Sequence, residues 1–344
     1  MDKNLEKECL NASEHPLHMV TPTIHSAPLS KLAGFPVYLK LENLQIPGSF
    51  KIRGVGNFCK KAYKSGCRRI VCASGGNAGL AAAYAAKQLK VPATIVLPTT
   101  TPDFVADKLR DYGAEVQVHG SVWDESNKYA LKLATDPDCA YVHPFDHPDI
   151  WYINLLKSES KFISRQGHAT MIAEAKEQLP CQPDVVIASV GGGGLLNGVI
   201  EGMWNVGWKH VPVIAMETEG ADCLNAAIKD GKLVTLPAIT SVAKSLGALT
   251  CSKKTFEYYN KHKMHSVLVH DKQAIEACLK FADDHRMLVE PACGASLASV
   301  YSDVISKLEK DGKLPEIKSA LIVVCGGSGV SLEALQKWKS DFGL

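Results

Sequence analysis

Arg69-Ile70-Val71-Cys72-Ala73-Ser74-Gly75-Gly76-Asn77-Ala78-Gly79 is the stretch on which the reading of the fold turns. Arg69–Ala73 is a short apolar run and predicts a buried strand; the glycine pair breaks it, and alanine-rich Asn77–Leu89 predicts a helix. Working outward, Ala93–Leu97 and Glu115–Val118 predict strands, and Asp103–Tyr112 and Asp124–Ala134 predict helices. This βαβα alternation predicts a parallel sheet with helices packed on its faces. A second set opens at Asp184, with strands Val185–Val190, Val213–Met216 and Ser266–Val269 and a helix over Leu195–Val206. Asp271 is expected to cap the next helix, Glu290–Leu308 to form one helix after the Pro291 break, and Ala320–Val324 to be the last core strand. With no internal repeat, low-complexity segment or long Pro/Gly linker, the expected fold class is α/β. Two such α/β sets without a flexible tether suggest two domains with parallel twisted sheets around a cleft.

Composition narrows the function classes. The 344 residues carry 38 Lys plus Arg against 36 Asp plus Glu, a net charge of +2. There is no basic stripe, so neither nucleic acid nor an anionic membrane is expected as a partner. Apolar runs such as Val185–Val190 and Leu321–Val324 are far shorter than a bilayer span. Met1–Glu6 lacks the apolar core of a signal peptide. The eleven cysteines form no Cys-x-x-Cys pair, and Cys72 and Cys325 sit in apolar runs, so reduced thiols and a cytoplasmic location are expected.

Three glycine turns follow expected strands, where open α/β sheets bind ligands on backbone N–H groups at helix N-termini. Ser74–Gly79 offers a hydroxyl, an amide and backbone donors that suit a carboxylate. Gly191-Gly192-Gly193-Gly194 opens a helix and suits a phosphate dianion, and Cys325-Gly326-Gly327-Ser328-Gly329 sets a thiol against bare backbone. One such turn alone is more often a tight connection; three at strand ends point to a ligand. Gly48-Ser49-Phe50-Lys51-Ile52-Arg53-Gly54 adds a lysine on a glycine-bracketed turn. Such a lysine is most often a solvated loop residue, but partly desolvated beside a bound carbonyl it becomes a Schiff-base nucleophile. No Gly-x-x-x-x-Gly-Lys-Ser/Thr string exists. Gly192, Gly194 and Gly198, with Glu217 after the next strand, make only a loose dinucleotide fingerprint, so a nicotinamide oxidoreductase stays as a weaker alternative.

Together these motifs resemble the tryptophan-synthase-β-like group of pyridoxal-phosphate enzymes (fold type II). Ile239–Gly247 and Leu288–Ala295 are similar to its animal serine dehydratase/threonine deaminase branch. Val122–Glu125 and Pro144–Pro148 lean towards the serine dehydratase-like paralogue. The resemblance runs from about Leu17 onward. It implies β-elimination of L-serine to pyruvate and ammonia and of L-threonine to 2-oxobutanoate and ammonia, in a cytoplasmic homodimer that uses pyridoxal 5'-phosphate and K+. It implies that Lys51 holds the cofactor and, once displaced, serves as general base. Phe50 would pack on the pyridine ring, and Gly191, Gly192, Gly193, Gly194 and Leu195 would bind the phosphate. Asn77 would meet the ring's 3′-oxygen, and Ser74, Gly76, Asn77 and Ala78 the substrate carboxylate. Cys325 would face the pyridine nitrogen, where a thiol leaves that nitrogen neutral and favours prompt loss of the β-hydroxyl. The cofactor phosphate, with a second pKa of about 6, could protonate that hydroxyl. The resemblance also implies that residues 1–44 with 148–344 form the larger domain, which would hold the cofactor, and residues 45–147 the smaller, which would carry the carboxylate loop. A monovalent cation would sit by Glu217 among the backbone oxygens of Gly191, Ala221, Leu246 and Ala248; the alternative for Glu217 is a surface strand end. His147 and His168 are expected to be solvated or capping, and Cys293 to be packing. Alternatives within the fold are a serine racemase or a β-replacement enzyme, and outside it a weakly active cofactor-binding paralogue.

Two departures stand out. Gly75 replaces the serine or alanine frequent in this branch, which loosens the carboxylate loop and predicts weaker turnover. Tyr152–Gln166 separates Trp151 from Gly167 where relatives have one residue. This polar segment carries Lys157, Glu159, Lys161 and Arg165 and reads as a surface loop or a splice or gene-model variant.

Overall fold

A computed structural model of the chain describes residues 15–101, 103–151 and 167–344. The inserted segment Tyr152–Gln166 lies outside the described residues. Ten strands are assigned among these residues: β1 (Thr23–His25), β2 (Val37–Leu41), β3 (Arg69–Cys72), β4 (Ala93–Leu97), β5 (Glu115–Val118), β6 (Cys139–Val142), β7 (Val185–Ser189), β8 (Val213–Thr218), β9 (Met264–Val269) and β10 (Ala320–Val324). They form a four-stranded sheet of order β5-β4-β3-β6 and a six-stranded sheet of order β1-β2-β10-β7-β8-β9. Every pairing is parallel except β1 with β2, where Ile24 lies opposite Leu39.

The chain divides into two compact units. The first contains the described residues up to Met19, Gln45–Pro47 and Lys51–Ile150; the second contains Val20–Leu44, Gly48–Phe50 and the chain from Trp151. The chain therefore passes between units at the Phe50–Lys51 peptide bond. These boundaries differ from the expected division, in which the residues up to Met19 and 148–150 grouped with the larger domain and 48–50 with the smaller. Leu17 explains part of the difference, because it is buried in the first unit's core with Ile52, Val55 and Ile70.

In the first unit, helix Asn77–Leu89 buries eleven of its residues, mostly alanines. Small side chains let it lie close against both the sheet and helix Lys51–Lys64. Gly79 makes the tight entry possible: a Cβ there would fall 1.8 Å from the Ser74 carbonyl oxygen. In the second unit, β7, β8 and β10 are buried along their whole lengths. Such continuous apolar strands are expected of a parallel sheet covered on both faces. Helix Pro291–Tyr301, buried except at its last residue, packs across these three strands.

Three local expectations are corrected. Lys51 does not sit on a turn; it is the first residue of helix Lys51–Lys64. Asp271 does not cap the following helix but belongs to it, and its carboxylate instead accepts from the Ser241 hydroxyl (2.6 Å) and the Val242 N–H (2.9 Å). Glu290–Leu308 is two helices, Pro291–Tyr301 and Val304–Lys310, because Asp303 adopts a left-handed conformation (φ 57°) that interrupts the helical path. Among the described residues no helix is long and apolar enough to cross a membrane, and all ten described cysteines are free thiols.

Candidate active site

The second unit carries the tetraglycine turn between β7 and helix Gly194–Asn205. Gly193 precedes that helix with φ 96°, and no side chain caps its N-terminus. A Cβ on Gly193 would lie 1.8 Å from Thr255 Oγ1. Thr255 cannot yield freely, since its hydroxyl lies 2.8 Å from Ser252 Oγ and donates to Asn197 Oδ1 at 2.9 Å. Ser252 in turn donates its N–H to the Gly192 carbonyl at 2.9 Å. Gly192, Gly193, Gly194 and Leu195 are buried. A helix N-terminus buried without a side-chain cap leaves backbone donors for an anion, and bare glycines let a phosphate approach them.

Cys325 directly follows β10 and is buried, with its Sγ 3.5 Å from the Ser189 hydroxyl. Its carbonyl accepts the Phe50 N–H at 3.0 Å, Ser49 bridges Gly326, and Gly327 donates to the Gly48 carbonyl at 3.0 Å. The turn before Lys51 is thereby stitched to the thiol turn. Cys293 is buried, and burial, with Cys325 as neighbour, pushes its thiol well above the usual range, as suits a packing residue. Phe50 is buried edge-on against the His168 ring, with centroids 4.7 Å apart. His168 is fully buried, so of the expected solvated or capping roles the solvated one is corrected; its ring packs on Phe50. His147 does cap locally, its Nδ1 accepting the Asp149 N–H at 3.1 Å.

Glu217 is also fully buried rather than a surface strand end. Its two oxygens accept the N–H groups of Leu224 (2.9 Å) and Asn225 (2.8 Å) at the start of helix Cys223–Asp230. Those bonds favour the carboxylate, but burial outweighs them and raises its pKa from 4.5 to about 8. Of the residues expected to offer oxygens to a cation, a Cβ on Gly191 would lie 3.1 Å from the Leu246 oxygen, Ala248 donates to that oxygen at 2.8 Å, and Ala221 donates to the Thr218 carbonyl at 2.9 Å. Among the described residues no cluster of three His, Cys, Asp or Glu side chains could hold a metal ion. Any cation here would rely on backbone oxygens.

The first unit carries Lys51, whose ammonium donates to the Pro144 carbonyl at 2.7 Å. Cys72, at the end of β3, has its thiol pushed to about 12 by burial while the Lys51 charge pulls the other way. In the following turn, Gly76 donates its N–H to Ser74 Oγ at 3.3 Å and then caps helix Asn77–Leu89 with backbone alone. Asn77 and Ala78 are buried at this uncapped end. Trp123, which the sequence marks only as part of the Val122–Glu125 motif, supports the turn: its indole N–H donates to the Ala73 carbonyl at 2.6 Å. That partner lies 50 residues away, so no local pattern marks the contact.

The family model described as pyridoxal-phosphate dependent enzyme matches residues 15–326. The chain belongs to this family. It is 51% identical over 334 residues to the human protein named serine dehydratase-like, covering 97% of each chain. It is 49% identical to human L-serine dehydratase/L-threonine deaminase, covering 96% of this chain and 98% of that protein. Among solved structures, a fungal L-serine ammonia-lyase from Rhizomucor miehei matches with a TM-score of 0.86 and 36% identity, over 95% of this chain and 100% of the other. The residues of each unit fit the family's cofactor: in the second, the buried glycine turn without a side-chain cap suits a phosphate, and in the first, Lys51 carries the amine that an aldehyde needs.

Proposed function

We propose that this enzyme is an L-serine/L-threonine ammonia-lyase, eliminating the β-hydroxyl of L-serine to give pyruvate and ammonia and of L-threonine to give 2-oxobutanoate and ammonia. The observation that carries the reading is the buried N-terminus of helix Gly194–Asn205, opened by Gly193 in a left-handed conformation and left without a side-chain cap. Gly191–Gly194 and Leu195 are the groups proposed to hold the cofactor phosphate, Phe50 its ring face, Asn77 its 3′-oxygen and Cys325 its pyridine nitrogen. When bound, pyridoxal phosphate supplies an electron-withdrawing ring that acidifies the substrate's α-hydrogen.

The chain's own residues supply the rest. Lys51 first tethers the cofactor and, once released, accepts the α-proton at Nζ. Its hydrogen bond to the Pro144 carbonyl holds the amine in one place. Ser74, Gly76, Asn77 and Ala78 bind the substrate carboxylate at the uncapped start of their helix, where a negative charge is favoured. A thiol at Cys325 donates only weakly and does not force a charge onto the nitrogen it faces. K+ beside Glu217, with the oxygens of Gly191, Ala221, Leu246 and Ala248, is part of the proposal, since a cation would restore the ionised carboxylate that burial disfavours. A homodimer in the cytoplasm completes it.

The test is an absorbance spectrum of purified protein before and after L-serine, with lactate dehydrogenase and NADH reporting pyruvate. A cofactor band lost in Lys51→Ala, with steady pyruvate release from the wild type, is expected. A band with no pyruvate and with D-serine formed would replace the lyase by a racemase. No band after adding pyridoxal phosphate would overturn the assignment of the glycine turn.

A further inference from the structure

The carboxyl end of β6 places a histidine where the proposed reaction lacks a protein group. β6 pairs with β3 in parallel register, Cys72 opposite Val142. His143 therefore leaves the sheet beside Ala73, next to the start of the Ser74–Gly76 turn. The following residue, Pro144, is the one whose carbonyl accepts from Lys51 at 2.7 Å. His143 thus adjoins Pro144, the residue that binds Lys51, and by strand register follows the position opposite Cys72, all within the first unit.

Its ring is held. Nδ1 accepts the N–H of Phe145 at 3.2 Å and of Asp146 at 2.8 Å. The rings of Phe145 and Tyr141 pack edge-on at 4.7 and 6.4 Å. A neutral imidazole that accepts at Nδ1 carries its proton on Nε2, the opposite corner, which points away from the turn that Nδ1 serves. Partial burial favours the neutral ring; the charges of Lys51 and His147 act in the same direction, and Asp146 opposes them. The result is a fixed, uncharged N–H donor.

We propose that His143 is a further catalytic residue whose Nε2–H donates a hydrogen bond to the β-hydroxyl oxygen of bound L-serine or L-threonine. This rests on the β-eliminating reading above. The substrate's carboxylate already has a hydroxyl, an amide and backbone donors from Ser74–Ala78, whereas no protein side chain is yet assigned to its hydroxyl. The bond polarises the oxygen as the C–O bond breaks; the bonding pair leaves with the oxygen, which departs as water with the proton that Lys51 Nζ took from the α-carbon. The ring keeps its proton, because surrendering it would leave an imidazolate.

The experiment measures kcat/KM for L-serine and for β-chloro-L-alanine in wild type, His143→Ala and His143→Gln. The chloride leaves without needing a donor to oxygen, and the rest of the substrate is the same. In His143→Ala the serine-to-chloroalanine ratio should fall at least about tenfold, and His143→Gln, which keeps an N–H at similar reach, should regain part of it. The cofactor band and Tm of both variants should match wild type. A second readout needs no turnover: in 15N-histidine-labelled protein, the His143 Nε2–H signal should move on adding 3-hydroxypropanoate and stay put with propanoate. Equal losses on both substrates, an unmoved ratio, or equal response to both acids would overturn the assignment. Pyruvate from neither substrate in wild type would instead overturn the β-eliminating reading, and the proposal with it, before any variant is made.

Discussion

Gly75→Ala decides whether the loose carboxylate turn limits the enzyme. The Gly75 φ lies outside the left-handed region, so an L-residue meets no backbone strain. Ideal placement of the new Cβ puts it 3.1 Å from Thr101 Cγ2 and 3.3 Å from both Leu97 Cδ2 and Val105 Cγ1. Ordinary carbon contacts lie at about 3.5–4.0 Å, so each methyl must retreat by a few tenths of an ångström. All three are side-chain ends, and Thr101 and Val105 are only half-buried, so the retreat is available; Leu97 alone is buried. Against this small cost, removing a glycine's backbone freedom is worth about 0.4–1 kcal/mol, and the buried methyl adds to it. If that gain is felt when the turn orders around a carboxylate, kcat/KM for L-serine rises by about two- to fivefold, at 1.4 kcal/mol per factor of ten. Coupled pyruvate detection gives kcat and KM, and thermal unfolding reports the packing cost. An unchanged or lower kcat/KM would refute the entropic argument. A clear fall in Tm would show that Leu97 does not give way.

Gly193→Ala should destabilise the protein by about 2–4 kcal/mol, because it combines a left-handed alanine with a clash against Thr255, and should abolish the cofactor band; denaturant unfolding and absorbance check both. Trp123→Phe removes the bond to the Ala73 carbonyl, worth about 0.5–1.5 kcal/mol, so KM for L-serine should rise roughly two- to tenfold with the cofactor band intact. Glu217 sets a pH dependence: its folded pKa, about 8, exceeds the ordinary 4.5, so the fold holds a proton that the unfolded chain has released and stability falls as pH rises through that window. Unfolding in tetramethylammonium buffers should show that slope, Glu217→Gln should flatten it, and K+ should raise Tm more at pH 8 than at pH 5. Equal K+ effects at both pH values would remove the cation from this site.

What was legible in the sequence depended on whether a residue's role is written in its neighbours along the chain. β4, β5 and β10 match their expected spans because an apolar run bounded by turn residues has few other uses. β2 was missed, and its sequence shows why. Lys40 interrupts the run, yet it is fully buried, bonded to the Thr21 carbonyl and paired with Glu174 at 2.7 Å, so only the tertiary partner makes the position apolar in effect. The break at Asp303 carried neither glycine nor proline as a signal. The candidate site divides in the same way. Its glycines could be read because a missing side chain is a local signature of close approach. Thr255, Trp123 and His143 could not, since each acts on a turn at least 50 residues away or through a strand register that the sequence does not display. Glu217 falls between these cases: its place at a strand end was plain, but only the fold shows that burial drives its carboxyl towards the neutral form. Chemistry supplied by backbone at strand ends is therefore legible early, and chemistry supplied by side chains that converge from other strands emerges only once the sheet order is known. In this enzyme that second group is where substrate discrimination is expected to reside, because the glycine turns offer donors to any anion, whereas a fixed N–H at His143 can distinguish an oxygen from a chlorine.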